Sequence, residues 1–168
     1  MLFLLCAAGL HAHGTMPPEM ISMRDAETSA SSDSTGHILF EGVEVKGDIY
    51  SFYKILEKRK CKLTSRLRDA NQYAMRGFVA GNECDFLISY TRNTRTVYRI
   101  MVRPKHVSVP AYLDSLKVRY GEPYDFEDET YKWMLPTGMV MFKTPDGYDP
   151  TLVIIDAIGF KAYKEEEN

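Results

Sequence analysis

The sequence predicts an α+β protein in which two helices pack on one face of an antiparallel sheet. Two segments carry apolar side chains at helical spacing after a capping residue, and three short runs of β-type alternation follow each of them. The loops between these runs are short, which favours antiparallel neighbours because a parallel connection needs about a dozen residues or more. The order of elements therefore indicates two halves, each a helix followed by three strands.

The two predicted helices have similar signals. After a predicted strand at residues 37–45, Asp48 is placed to cap a helix over residues 49–60, and Ser108 is placed to cap a second helix that ends at Gly121. The apolar stripes are Ile49, Phe52, Tyr53 and Leu56 in the first helix and Val109, Tyr112, Leu113 and Leu116 in the second. A shift of 60 residues superimposes both caps and both stripes. This match indicates either an internal repeat or only the shared chemistry of helix capping.

Six runs have the β-branched and aromatic composition of strands. They cover residues 73–80, 84–90 and 95–102 in the first half, and residues 131–135, 138–143 and 151–158 in the second. Gly, Asn, Thr and Pro lie in the loops between them, as expected for turns. Trp133 lies at a core position of this alternation, whereas Asp156 interrupts an apolar run and is expected on the open face or at the strand end.

The first fourteen residues, 1–14, have the pattern of a signal peptide. The apolar run from Leu2 to Leu10 has the length of a signal-peptide core and is too short for a membrane-spanning helix, which needs about 20 residues. Ala12 and Gly14 are small residues at the spacing of a cleavage site. No Lys or Arg precedes the run, so the sequence leaves open whether Met1 is the true start. We expect a periplasmic or secreted protein.

The rest of the chain divides into three parts. Residues 15–36 are rich in Ser, Thr, Pro and acidic residues, which predicts a flexible leader. Residues 37–160 are predicted to form a single α+β domain, and residues 161–168 an acidic, solvated tail. We expect no transmembrane segment, and the oligomeric state is left open.

The charge of the chain is unevenly distributed. The net charge is −2, so no overall basic surface for nucleic acid is expected. Residues 54–105, however, contain 13 Lys and Arg against 4 Asp and Glu, and both flanking segments are acidic. The fold either presents a positive face or lets the two signs neutralise each other.

An arginine stands at every fourth position of the segment 95–105, RTVYRIMVRPK. In a strand, Thr96, Tyr98, Ile100 and Val102 point to one side, and Arg95, Val97, Arg99, Met101 and Arg103 to the other. Three arginines need solvent or partners, so the first set is predicted to face the core. The predicted contact surface is Arg95, Arg99, Arg103, Arg76, Tyr90 and Met101. The alternative is that this set is only the solvated face of a strand.

The two cysteines of the predicted domain, Cys61 and Cys84, also allow two interpretations. In an oxidising compartment such a pair can form a disulfide, and otherwise both are buried thiols that pack as small apolar groups.

Enzyme motifs are scarce. His37 and His106 have no metal-ligand spacing, and the sequence lacks HExxH, GxSxG, P-loop and zinc-type CxxC motifs. An S-x-x-K match at residues 51–54 lacks the companion motifs of penicillin-binding enzymes. We therefore expect a non-catalytic protein with no metal or cofactor, and a small hydrolase with an unrecognised site is the lesser alternative.

The layout resembles small exported proteins of the β-lactamase inhibitor protein type and of the SmpA/BamE type. The resemblance rests on the two helix stripes, on the RYGEP stretch at residues 119–123 and on the strand meanders after each helix, and it covers about residues 37–160. It implies a binding or inhibitory role, or else a role in envelope assembly. The partner expected from the arginines, which are interleaved with apolar and aromatic side chains in the predicted contact surface, is a protein or an anionic glycan. Leu5 departs from the lipoprotein pattern of the SmpA/BamE group, where a small residue is expected before Cys6.

Overall fold

One antiparallel sheet of eight strands organises the part of the chain that the computed structural model describes, residues 36–147 and 149–168. The predicted signal peptide and leader lie outside these residues up to position 35. The first half contains α1 (Ile49–Lys58), β3 (Lys62–Leu67), β4 (Gln72–Val79), β5 (Asn82–Tyr90) and β6 (Val97–Pro104), preceded by the hairpin strands β1 (Leu39–Phe40) and β2 (Val43–Glu44). The second half contains α2 (Val109–Tyr120), β7 (Asp125–Glu127), β8 (Thr130–Leu135), β9 (Gly138–Lys143), β10 (Thr151–Asp156) and α3 (Ala157–Glu167).

The strand order is β3-β4-β5-β6-β10-β9-β8-β7, so each half is a helix followed by a four-stranded meander. The prediction of an α+β fold with an antiparallel sheet is confirmed. The prediction of three strands per half is wrong, because β3 and β7 extend the sheet at its two edges. The halves meet where β6 pairs with β10, in a register that sets Val102 opposite Leu152 and Ile100 opposite Ile154.

The core lies between one face of the sheet and the stripes of α1 and α2. All four predicted stripe residues of α1 are buried, and in α2 the buried pair is Tyr112 and Leu116. Tyr112 packs on Phe142 with ring centroids 5.3 Å apart, and Phe40 packs on Phe86 at 5.6 Å. Burying a side chain of this size contributes about 1.5–3 kcal/mol. Further buried residues of this face are Met75, Ile88, Ile100, Val102, Trp133, Val140, Leu152 and Ile154.

The two helix caps differ. The Asp48 carboxylate accepts hydrogen bonds from Tyr50 N at 2.9 Å and Ser51 N at 3.2 Å, and the Ser51 hydroxyl beside it holds the pKa of Asp48 below its usual value. Ser108 has the extended backbone of a cap, but its side chain makes no capping hydrogen bond. Gly121 ends α2 as predicted, at a φ of 82° that favours glycine.

Two predicted strands have different bounds. Residues 37–45 form a hairpin, because Glu41 and Gly42 adopt φ values of 49° and 69° and reverse the chain. The last strand ends at Asp156, and α3 covers most of the predicted acidic tail. The buried carboxylate of Asp156 accepts hydrogen bonds from Ile38 N at 2.9 Å and Gly159 N at 2.8 Å. It therefore joins the start of the domain to the start of α3.

The predicted side assignment around Tyr98 is wrong because β6 contains a bulge. Ser89 pairs with Arg99, but Tyr90 pairs with Val97, so one residue is inserted. Val97 is fully buried in the core. Tyr98 instead stacks on Tyr163 of α3, with ring centroids 4.4 Å apart. The continuous arginine row of the prediction therefore does not form.

Both cysteines are buried free thiols in the structure. Gly77 makes room for Cys61, since a Cβ atom at this glycine would lie 2.6 Å from the Cys61 sulfur. Burial raises the pKa of Cys84 to about 11 and also raises the pKa of Cys61. None of the helices in the described ranges has the length and apolar content to cross a membrane.

Candidate functional site

Two hairpin turns lie side by side at one end of the first half and enclose a cavity of about 490 Å³. One turn connects β3 to β4, and the other connects β5 to β6. The residues that line the cavity are Tyr50, Arg66, Arg68, Asn71, Tyr73, Tyr90, Arg92 and Arg95. We call this cavity the arginine–tyrosine pocket.

Backbone hydrogen bonds fix the two turns to each other and to α1. Asn71 has a left-handed φ of 50°, and its carbonyl accepts a hydrogen bond from Tyr90 N at 3.0 Å. Arg95 has a left-handed φ of 59°, and its carbonyl accepts a hydrogen bond from Ile49 N at 2.9 Å. The pocket is therefore built from segments that are distant in sequence.

The floor of the pocket is a chain of tyrosine rings in edge-to-face contact. Ring centroids are 5.3 Å apart for Tyr50 and Tyr53, 5.4 Å for Tyr53 and Tyr73, and 5.7 Å for Tyr73 and Tyr90. Each such contact contributes about 0.5–1.5 kcal/mol beyond the burial of surface. Tyr50 is 54% exposed, whereas Tyr53, Tyr73 and Tyr90 are buried. Three of the four rings are therefore held in place by packing against the core.

Two of the arginines lie against these rings. The guanidinium carbon of Arg66 is 5.5 Å from the Tyr73 ring centroid, and that of Arg95 is 6.0 Å from the Tyr90 centroid. Cation–π attraction at such distances contributes about 0.5–1 kcal/mol at exposed sites. The rings thus help to hold the positive charge at the mouth of the pocket.

None of the four pocket arginines forms an ion pair with a carboxylate of the described residues. Elsewhere in the first half, basic side chains do have acidic partners: Arg76 is 2.8 Å from Asp85, and Lys54 is 2.8 Å from Glu57. The basic charge of residues 54–105 is therefore paired in part on the sheet, whereas the four arginines at this end form no ion pair with a described carboxylate. Four guanidinium groups around one cavity create a positive potential that attracts anions.

The C-terminal helix clamps the turn that carries Arg92 and Arg95. The Glu166 carboxylate accepts hydrogen bonds from Asn93 N at 2.8 Å, Thr94 N at 2.9 Å and Thr94 Oγ1 at 2.8 Å. These bonds, the Asn93 amide first, lower the pKa of Glu166 to about 2. We call this contact the turn clamp.

The six residues of the predicted contact surface separate into two places. Arg95 and Tyr90 belong to the arginine–tyrosine pocket. Arg76, Met101 and Arg103 line a smaller cavity of about 240 Å³ on the sheet face away from α1 and α2.

Arg99 belongs to neither cavity. Its guanidinium nitrogens lie 3.3 Å and 3.2 Å from Ser89 Oγ, and its guanidinium carbon lies 5.8 Å from the centroid of the Tyr98 ring.

The sequence analysis missed the other pocket residues, which are Tyr50, Arg66, Arg68, Asn71, Tyr73 and Arg92. The available signal was the pair of turn-like stretches SRLRDAN and TRNTR within the basic segment.

The pocket is rich in hydrogen-bond donors. Its eight lining residues supply guanidinium, phenol and amide groups, without a carboxylate, imidazole, thiol or aliphatic hydroxyl. In the described ranges, no three His, Cys, Asp or Glu side chains are grouped so that they could hold a metal ion.

The chain matches no protein-family model, and no curated protein or solved structure is significantly similar to it. The resemblance to β-lactamase inhibitor and SmpA/BamE-type proteins therefore stays a prediction.

Proposed function

We propose that this chain is an exported, non-catalytic binding module that recognises an anionic partner at the arginine–tyrosine pocket. The observation that carries the proposal is the set of four guanidinium groups without an acidic partner around one cavity. Guanidinium groups bind carboxylate, phosphate and sulfate oxygens through paired hydrogen bonds, and they keep their charge at every physiological pH. Export rests on the signal-peptide pattern of residues 1–14.

Retention on immobilised heparin, a sulfated glycan, tests this proposal. The double variant Arg66→Gln/Arg95→Gln removes two pocket charges, and we expect it to elute at clearly lower salt than the native chain because fewer counter-ions are released on binding. The matched control, Arg76→Gln/Arg103→Gln, removes the same charge from the sheet face, and we expect its elution to change little. Circular dichroism of both variants verifies that they are folded.

The two variants give different answers if the proposal is wrong. Equal loss in both would show that heparin senses only the total charge of the chain. If only the control variant lost retention on heparin, the binding surface would be the sheet face and not the pocket.

The sheet face away from α1 and α2 carries a second candidate, a protein-docking surface. The register of five adjacent strands places one apolar row across this face: Ala74, Leu87, Met101, Val153 and Met141. Methionine-containing apolar surfaces adapt well to protein partners. This arrangement favours the inhibitory or envelope-assembly alternative, and Met101→Glu should then abolish capture of a protein partner that Arg66→Gln leaves intact.

A further inference from the structure

The four arginines of the pocket form two pairs, one beside each turn. Arg66 lies near the end of β3 and Arg68 in the turn that follows, whereas Arg92 and Arg95 lie in the β5–β6 turn. Between the pairs lie the rings of Tyr73 and Tyr90, whose centroids are 5.7 Å apart. Arg66 lies over the first ring and Arg95 over the second. Positive charge is therefore concentrated on two sides of a two-ring floor.

This division into pairs bears on the charge of the ligand. A single anionic group can lie close to one pair, but it leaves the other pair without counter-charge. A ligand with two anionic groups neutralises both pairs at once. Tetrahedral phosphate and sulfate groups present three oxygens each and accept bonds from two guanidinium groups more readily than a planar carboxylate does.

The remaining lining residues bear on the body of the ligand. A cavity of about 490 Å³ lies within the range of small-molecule sites, about 300–1,000 Å³. Tyr50 offers a half-exposed ring, and Asn71 offers an amide that both donates and accepts hydrogen bonds. These groups suit a scaffold with hydroxyl groups, of about the size of one or two sugar rings.

We infer that the arginine–tyrosine pocket binds a small polyhydroxylated ligand that carries two phosphate or sulfate groups. The inference rests on the proposed anion-binding function and makes it more specific. The turn clamp supports it, because Glu166 holds the turn of the second arginine pair in place before any ligand arrives. Such preorganisation reduces the entropy cost of binding.

Isothermal titration calorimetry of the full chain tests the inference with three probes. Fructose 1,6-bisphosphate carries two phosphate groups, fructose 6-phosphate carries one, and a heparin-derived disaccharide carries sulfate groups. We expect each probe that carries two anionic groups to bind at least about tenfold more tightly than fructose 6-phosphate, since a hydrogen bond to a charged group is worth that factor or more. The tighter of the two indicates whether the natural ligand is a phosphate or a sulfate ester.

Single variants test whether each arginine pair binds one of the two phosphate groups of fructose 1,6-bisphosphate. Arg66→Gln and Arg95→Gln should each weaken fructose 1,6-bisphosphate about tenfold and bring its affinity close to that of fructose 6-phosphate. Arg76→Gln, which lies in an ion pair on the sheet face, should leave both affinities unchanged.

Three outcomes overturn the inference. Equal affinity for one and two phosphate groups would indicate a single-anion site. Retention on heparin that depends on the pocket, without binding of any small probe, would overturn this inference and leave the proposed function standing. If the chain neither bound a small probe nor depended on the pocket for retention on heparin, this inference and the proposed function would both be overturned.

Discussion

The two halves of the sheet share a topology but differ in the charge of their outer turns. In the first half, the β3–β4 and β5–β6 turns and the adjoining end of β3 carry the four pocket arginines. In the second half, the corresponding turns and the end of β7 carry Glu127, Asp128, Glu129, Asp146 and Asp149. Because β6 and β10 are antiparallel, these two sets of turns lie at opposite ends of the sheet. The strand order determines which turns lie next to each other and form a cavity. The side chains of those turns then determine whether the cavity is positively or negatively charged.

The charged side chains at the two ends of the sheet also differ in whether they form ion pairs or hydrogen bonds. Lys132 lies 2.8 Å from Asp125 and 3.2 Å from Glu127, and Glu129 accepts a hydrogen bond from Asp146 N at 3.2 Å. The cavity at this end, about 420 Å³, is lined by side chains of both signs. The four pocket arginines of the first half have no such partners among the described residues. The pocket end thus combines four arginines without an ion pair around one cavity, and it is the end we assign to binding.

The largest expected effect tests whether the two halves fold as one unit. Phe86 and Phe142 occupy corresponding strands and are both buried in the shared core. Phe86→Ala and Phe142→Ala should each reduce the free energy of unfolding by about 3–5 kcal/mol. Urea titrations followed by Trp133 fluorescence, which reports the second half, and by far-UV circular dichroism should give the same midpoint. Separate midpoints would show that the halves unfold independently.

A smaller effect should distinguish the two helix caps. Asp48→Ala removes hydrogen bonds to two backbone amides, so we expect a loss of about 1 kcal/mol in the free energy of unfolding. Ser108→Ala removes no capping hydrogen bond and should change it by less than about 0.5 kcal/mol. Chemical denaturation of both variants measures the difference. Equal losses would contradict the assignment of unequal caps.

The smallest expected effect concerns the turn clamp, the contact of Glu166 with the turn that carries Arg92 and Arg95. Glu166→Gln should weaken anion binding severalfold, because the turn of Arg92 and Arg95 is held less firmly, while the midpoint of thermal unfolding hardly moves. The native pKa of Glu166, about 2, is lower than the usual 4.5, so its contribution is present above pH 4.5 and is lost as the pH falls toward 2. The protection factor of the Asn93 amide, which is the factor by which its exchange is slowed relative to an unstructured peptide at the same pH, should therefore fall between pH 4.5 and pH 2 in the native chain and not in the variant. An Asn93 amide that exchanges equally fast in both would argue against the clamp.

Much of the fold could be predicted from the sequence because its signals are local. The stripes of α1 and α2, the glycine at position 121 and all six inner strands depend on periodicity, caps and turns. The edge strands β3 and β7 could not be predicted in this way, since most of their side chains are exposed and show no buried face. The bulge at Tyr98 depends on rings of α3 that are more than fifty residues away in the chain.

The candidate site was less predictable than the fold. The sequence predicted one contact surface that holds Arg95 and Tyr90 together with Arg99 and Arg103, whereas in the structure only Arg95 and Tyr90 line the arginine–tyrosine pocket. The pocket forms because two turns from different hairpins lie side by side, joined through Asn71 and Tyr90. The two turns are neighbours because of the strand order of the sheet. The local sequence patterns do not predict that order, so they could not predict the pocket.

The pairing of β6 with β10 also has a consequence for the order of folding. Each meander joins strands that are close in sequence, and hairpins of this kind form in about 1–10 μs. Val102 and Leu152 lie on opposite sides of the junction between the halves, so closing it requires a far longer loop and should come late. Until then β6 and β10 are both unpaired edges with free backbone donors and acceptors. Refolding at high protein concentration should therefore yield strand-exchanged dimers, in which β6 of one molecule pairs with β10 of another.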